Sequence, residues 1–235
     1  MKKGFSYKVK NFFFPHICRG CRCVTDGAVL CPDCLDKWEK EKEAHCRLCR
    51  HSARFCECKL SPEGEKYSFE LYRLADYKRK SVCSALIYII KNRRAPRTID
   101  FLSNELSRLA LERKIKPGAI VTYAPRGKRA ARLSGTDQAK ALAQAFAEKR
   151  GEECVSAVRR LASREQKLLA SAGRESASAR QYALADNISE KIAGKKIILI
   201  DDIVTTGATM CEIATLLRDA GADEVVCLCV GRTPK

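Results

Sequence analysis

Lys196-Ile197-Ile198-Leu199-Ile200-Asp201-Asp202-Ile203-Val204-Thr205-Thr206-Gly207-Ala208-Thr209 is the stretch on which the fold turns. Its four consecutive apolar residues, mostly β-branched, predict a strand buried on both faces, which belongs in a parallel sheet. Two acids follow where such a strand would leave the core. A short Thr-Thr-Gly loop then opens a helical pattern from about Ala208 to Ala220. The loop would place backbone N–H groups and two or three hydroxyls at a helix N-terminus, where unpaired donors and the helix dipole both favour an anion such as phosphate. Gly207 permits a turn that a side chain would obstruct. The plainer alternative is a strand-turn-helix whose Asp and Thr only cap the helix.

Carboxylates beside a phosphate pocket repel its occupant unless they serve something else. A ribose supplies that use, because its vicinal hydroxyls donate to carboxylates and a divalent cation offsets the charge. Ile198-Leu199-Ile200-Asp201-Asp202-Ile203-Val204-Thr205-Thr206-Gly207-Ala208-Thr209 resembles the phosphoribosyl pyrophosphate (PRPP) signature of type I phosphoribosyltransferases. In that family the acid pair holds the ribose hydroxyls and the following loop holds the 5′-phosphate.

Upstream, Ala119 to Pro125 predicts a second apolar strand, ending in the basic loop Arg126-Gly127-Lys128-Arg129-Ala130-Ala131-Arg132. An Ala-rich helix follows over Gln138–Arg150, closing at Gly151. Strand, basic glycine-containing loop and helix together put an anion at the carboxyl edge of a parallel sheet. That anion would be the pyrophosphate, with a solvated basic turn as the alternative. Amphipathic helices are also expected over 82–91 and 98–110, a strand or hairpin over 67–77, and a final strand over 225–230. The segment 162–180, rich in Ser, Ala, Arg and Glu, reads as a surface helix or a flap.

The chain has 235 residues and 14 cysteines, nine of them between Cys18 and Cys58. Cys-x-x-Cys spacing without a secretory signal points to metal rather than disulfides. Phe12-Phe13-Phe14 stops at Pro15, too short for a signal core, and no segment approaches a membrane span. These observations predict a cytoplasmic protein without membrane insertion. Cys18, Cys21, Cys31 and Cys34 complete one tetrahedral Zn(Cys)₄ set, and Cys46, Cys49, Cys56 and Cys58 a second, tighter one. A full set of four leaves no open position for chemistry, so one or two structural Zn are expected. His16, His45 and His51 are read as surface residues. Between the clusters, Leu35 to Glu43 is charged and helix-prone, with Trp38 its one large apolar anchor. Ser61 to Glu65 reads as a linker.

The formal net charge of +17 favours polyanions or phosphorylated ligands. Two zinc-thiolate sites would lower it by about four charges and leave the chain strongly basic. With one Trp, the chain lacks the aromatic richness of an ordinary single-strand binder.

As a whole the layout resembles the ComF family of competence proteins, to which GntX also belongs. Besides the PRPP signature, the matching pieces are Tyr77, Lys91, Pro125 with its basic loop, Gly135-Thr136-Asp137-Gln138, Arg160, Gln166, Arg174 and Tyr182. The chain departs from the family at Ser134-Gly135-Thr136-Asp137-Gln138, where an Arg-Gly-Phe-Asn-Gln stretch is usual, and at Ala177, where an Asn is usual. The resemblance implies an α/β fold: a type I phosphoribosyltransferase-like parallel sheet flanked by helices over 66–235, with a zinc-ribbon-like module over 1–62. It implies that Asp201 and Asp202 orient the ribose in any catalysis. Thr205, Thr206, Gly207, Ala208 and Thr209 would bind the 5′-phosphate, and Arg126, Lys128 and Arg129 the pyrophosphate with Mg. The implied role is DNA uptake or processing, with single-stranded DNA or the uptake machinery as partner and phosphoribosyl transfer to an acceptor of unknown identity. The alternative is a PRPP or nucleotide sensor, or a single-stranded DNA-binding module, without catalysis. Nothing in the pattern sets the oligomeric state.

Overall fold

The computed structural model describes residues 15–60, 67–92, 95–126, 137–162 and 181–234. The predicted linker, Lys128, Arg129, Gln166, Arg174 and most of the 162–180 segment lie outside them.

The chain folds as mixed α/β around a six-stranded sheet with the order β3-β4-β10-β9-β5-β6. The strands are β3 (Lys59–Leu60), β4 (Phe69–Asp76), β5 (Ile120–Tyr123), β6 (Glu153–Cys154), β9 (Lys196–Val204) and β10 (Glu224–Arg232). All neighbours run parallel except β3, which pairs antiparallel with β4 at one edge. Two short ribbons stand apart: β1 (His16–Ile17) with β2 (Val24–Thr25), and β7 (Val158–Arg160) with β8 (Tyr182–Leu184).

Strand periodicity divides the interior into two cores, since successive side chains point to opposite faces. Ile198 and Ile200 of β9, with Val226, Leu228 and Val230 of β10, face one core. It is closed by α1 (Pro32–Lys42), α2 (Val82–Asn92), α3 (Pro96–Glu112) and α4 (Gln138–Arg150). Ile197 and Leu199, with Val225, Cys227 and Cys229, face the other core. There they meet α5 (Ile188–Ile192), α6 (Ala208–Asp219) and the β7–β8 ribbon. A strand apolar on both faces is what the run at 197–200 predicted.

Strand β9 runs further than its apolar run suggests, through both acids to Val204. Its two edges account for the difference. Pairing with β5 stops at Tyr123↔Ile200, whereas pairing with β10 continues through Ile203↔Gly231 and Val204↔Arg232. From Asp201 onward β9 is therefore held from one side only. After β5 the chain turns outward to β6, and after β9 it turns the other way, to β10. A crevice at such a reversal, outside the carboxyl ends of the strands, is where open α/β sheets bind ligands.

The cysteine-rich segment packs into this frame. Cys18, Leu30, Cys31, Cys34 and Trp38 belong to the same buried cluster as Leu102 and Leu106 of α3. Trp38 is fully buried, its ring centroid 6.3 Å from that of Phe101.

Candidate functional site

The residues expected to bind a phosphate come together as one turn. Thr205, Thr206 and Ala208 are exposed, Gly207 is buried, and all of them line a cavity of about 50 Å³ with Asp201 and Thr209. Gly207 occupies the left-handed region at φ +93°, immediately before the first residue of α6. Thr206 Oγ1 accepts from Ala208 N at 3.3 Å, and Thr233 N donates to Val204 O at 2.9 Å. The loop is thus tied to its own helix and to the end of β10, with its backbone amides at a helix N-terminus.

The acid pair straddles the strand. Asp201 faces the loop cavity, while Asp202 lies on the α2 side, its Oδ2 3.3 Å from Lys91 Nζ. Asp202 is buried, and that oxygen receives no hydrogen bond from the described residues. A carboxylate held by a cation but short of donors suits an incoming hydroxyl. Asp201 accepts from the Asp202 amide at 2.8 Å. Burial first, and the Asp202 charge second, hold its carboxyl well above the usual carboxylate range. Binding a divalent cation would relieve both effects.

Arg126 leaves β5 at the crevice, and its backbone N–H donates to Asp137 Oδ2 at 3.3 Å. Asp137 also caps α4, accepting from Lys140 N at 3.2 Å. One carboxylate therefore joins both ends of the basic loop, whose middle lies outside the described residues. Beside α6, Glu212 Oε1 accepts from the backbone N–H groups of Gln181 and Tyr182 at 2.5 and 2.9 Å. Arg160 lies over the Tyr182 ring at 5.8 Å, so two residues far apart in sequence meet beside the first turns of α6.

The cysteines form two clusters. Cys18, Cys21, Cys31 and Cys34 have all their sulfurs within 4.8 Å of one another, and so do Cys46, Cys49, Cys56 and Cys58. The Sγ–Sγ distances are 3.6 Å for Cys21–Cys31, and 3.7 Å for Cys46–Cys58 and Cys49–Cys56. Thiolates 2.3 Å from a tetrahedral zinc lie about 3.8 Å apart, so both sets fit such an ion. Cys18 Sγ accepts from Gly20 N at 3.3 Å and Cys31 N at 3.2 Å. Although burial opposes it, backbone N–H donors bring the Cys18 thiol down to about 6. None of the three histidines joins either set.

Sequence reasoning named Lys91 only as a family-like residue and did not assign it to the acid pair; its place at the last turn of an amphipathic helix was the available signal. Asp137, directly before a predicted helix, carried the signal of a cap but none of its tie to Arg126 N. Leu60, packed beside Gly207, carried no signal, since it acts across a long chain separation.

Residues 134–235 match the family model described as the phosphoribosyl transferase domain. The chain therefore carries a phosphoribosyltransferase-type domain, and the acid pair with the loop 205–209 falls inside it. Among curated proteins, the amidophosphoribosyltransferase of Drosophila melanogaster is 55% identical over 38 residues, 16% of this chain and 7% of that protein. A putative ribose-phosphate pyrophosphokinase 2 of Lactococcus lactis is 53% identical over 34 residues, 14% of this chain and 11% of the relative. The chain thus spans about a tenth of the length of these relatives. Among solved structures, the glutamine PRPP amidotransferase from B. subtilis with ADP and GMP has a TM-score of 0.39 at 19% identity, covering 56% of this chain and 26% of that one. A hypoxanthine phosphoribosyltransferase from Staphylococcus aureus has a TM-score of 0.32 at 18% identity, covering 56% and 61%. No helix among the described residues is long and apolar enough to cross a membrane.

Proposed function

We propose that the chain binds PRPP with Mg²⁺ at the reversal point of its sheet and serves DNA uptake or processing, with two structural zinc ions in its cysteine clusters. One observation carries the reading: an acid pair, Asp202 buried and Asp201 half-buried, stands beside a glycine-turned loop where β9 loses its β5 neighbour. The 5′-phosphate would sit on Thr205–Thr209 and the ribose hydroxyls on Asp201 and Asp202. The pyrophosphate would meet Arg126 and the basic loop containing Lys128 and Arg129. If a nucleophile is delivered, its nitrogen displaces pyrophosphate at the sugar C1, and positioning with neutralisation of the leaving group supplies most of the rate.

A second reading, a PRPP sensor or single-stranded DNA-binding module without turnover, is favoured by a different feature. A groove of about 870 Å³ runs between the first cysteine cluster and α2. Arg19, Arg22, Arg79 and Lys80 line it with Tyr77 and Tyr88, and none of the described residues lining it is acidic. Tyr88 is 66% exposed. Tyr77 is half-buried, and cations beside an exposed ring such as Tyr88 are what a single strand uses, phosphates on the charges and bases on the ring. Calorimetric titration with PRPP and Mg²⁺, followed by a pyrophosphate-release assay with and without single-stranded DNA, separates the two. Binding with release supports the transferase, and binding without release supports the sensor. No PRPP binding at all overturns both uses of this pocket.

A further inference from the structure

The second cysteine cluster lies against the phosphate loop. Cys58 is followed by Lys59 and Leu60, which form β3, and Leu60 is buried against the loop. A Cβ placed on Gly207 would meet Leu60 Cδ2 at 2.5 Å. Leu60 shares its core with Val204 and Met210, the residues flanking the loop.

Besides the core it enters, Leu60 is fixed by a short edge pairing and by the cluster that precedes it. Strand β3 has two residues, paired as Lys59↔Glu70 and Leu60↔Phe69, at the edge of the sheet. Between residues 44 and 60 the buried apolar side chains are Cys46, Ala53, Cys56 and Leu60. So small a core cannot offset the chain entropy of the segment unless a metal joins its four sulfurs. The cluster itself is anchored. Arg73 of β4, buried, turns its guanidinium toward Cys56 and Cys46 while its Nε donates to Asp76 at 3.0 Å. Arg113, the residue after α3, donates through Nη2 to Cys56 O at 2.7 Å.

We propose that a metal held by Cys46, Cys49, Cys56 and Cys58 clamps Leu60 onto Gly207 and thereby sets the conformation of the phosphate loop. Leu60 is a positioning residue: it touches the turn, not the ligand. The proposal rests on the PRPP reading for its effect on affinity, but its effect on the loop needs no ligand.

The test compares hydrogen exchange at the amides of 205–209, zinc content and PRPP affinity in the full-length protein and four variants. Leu60→Ala is expected to keep the parent's zinc, exchange the loop amides several-fold faster and bind PRPP about tenfold more weakly, as a loss of preorganisation would. Leu60→Met should restore both readouts. Cys58→Ser should lose one zinc and accelerate the same amides. Cys21→Ser, in the first cluster, should lose a zinc and leave those amides unchanged. Loop exchange in Leu60→Ala equal to the parent overturns the clamp, as does equal acceleration by Cys21→Ser and Cys58→Ser. If the loop amides respond as expected but the parent never binds PRPP, the clamp stands and the PRPP reading falls.

Discussion

Asp201 is the residue whose surroundings oppose its own charge. Its carboxyl is raised by burial and by Asp202, so the folded protein favours the protonated form more than the unfolded chain does. The stability this supplies is complete below the ordinary carboxylate value of about 3.9 and is lost as pH rises through the raised value. Asp201→Asn removes that loss. In ligand-free denaturation series, the variant should gain stability relative to the parent from about pH 4 upward. A constant difference across the series would contradict the assignment. Gly207 illustrates what sequence could and could not say. Its need for a permissive backbone was legible from Thr-Thr-Gly before a helix, and φ +93° bears that out. That a side chain from residue 60 fills the space beside it was not legible, because no local pattern records so distant a contact. Gly207→Ala is expected to cost about 1–2 kcal/mol and to weaken PRPP binding. Adding Leu60→Ala should make the combined loss less than the sum, since the backbone penalty remains while the collision goes.

At the level of elements, the helices were legible where apolar residues recur at helical spacing. The contacts that orient those helices were not. Ser81 before α2 is a recognisable cap, and its Oγ accepts from Ser84 N at 3.0 Å. The other cap comes from another helix: Glu41 of α1 accepts from Val82 N at 2.7 Å and Cys83 N at 2.9 Å. The cysteine-rich segment thus holds the start of the helix whose far end brings Lys91 to Asp202. Glu41→Ala should destabilise by about 1 kcal/mol. A buried polar group joins α1 to α3 as well. Glu105 accepts from Trp38 Nε1 at 2.8 Å and Lys42 Nζ at 2.5 Å, and pairs with Arg108. Breaking such a pair from one side leaves a buried cation under-compensated, so Glu105→Ala should cost about 3 kcal/mol in urea denaturation. A loss below about 0.5 kcal/mol would mean that water replaces the carboxylate there.

For the molecule as a whole, the parallel sheet and its crevice followed from the apolar run, the acids and the glycine turn, because those signals are contiguous in sequence. The joining of the cysteine-rich segment to the sheet did not follow, since it depends on Trp38 and Leu60 reaching partners far along the chain. Each structural zinc is worth on the order of 10 kcal/mol to the segment that binds it. Because that segment shares a core with α3, a chelator should move one cooperative thermal transition downward rather than melt a separate early unit. Two resolved transitions, with the upper one unmoved, would show independent folding.

The strand order bears on how the chain is made. Among the strands that pair with β4, β3 contributes two residues, and β10 supplies the long parallel partner from beyond more than half of the chain. A ribosome delivers β10 only after every other strand of this sheet has emerged. Until then β4 and the metal-binding segment lying on it have an open flank, with Leu71, Leu74 and Ala75 lacking their eventual cover. Pairings of such long range close slowly and leave apolar surface exposed to aggregation during synthesis. The nascent chain therefore assembles its carboxyl-edge pocket in a single late step, and truncation before β10 should yield an insoluble product rather than a smaller folded one.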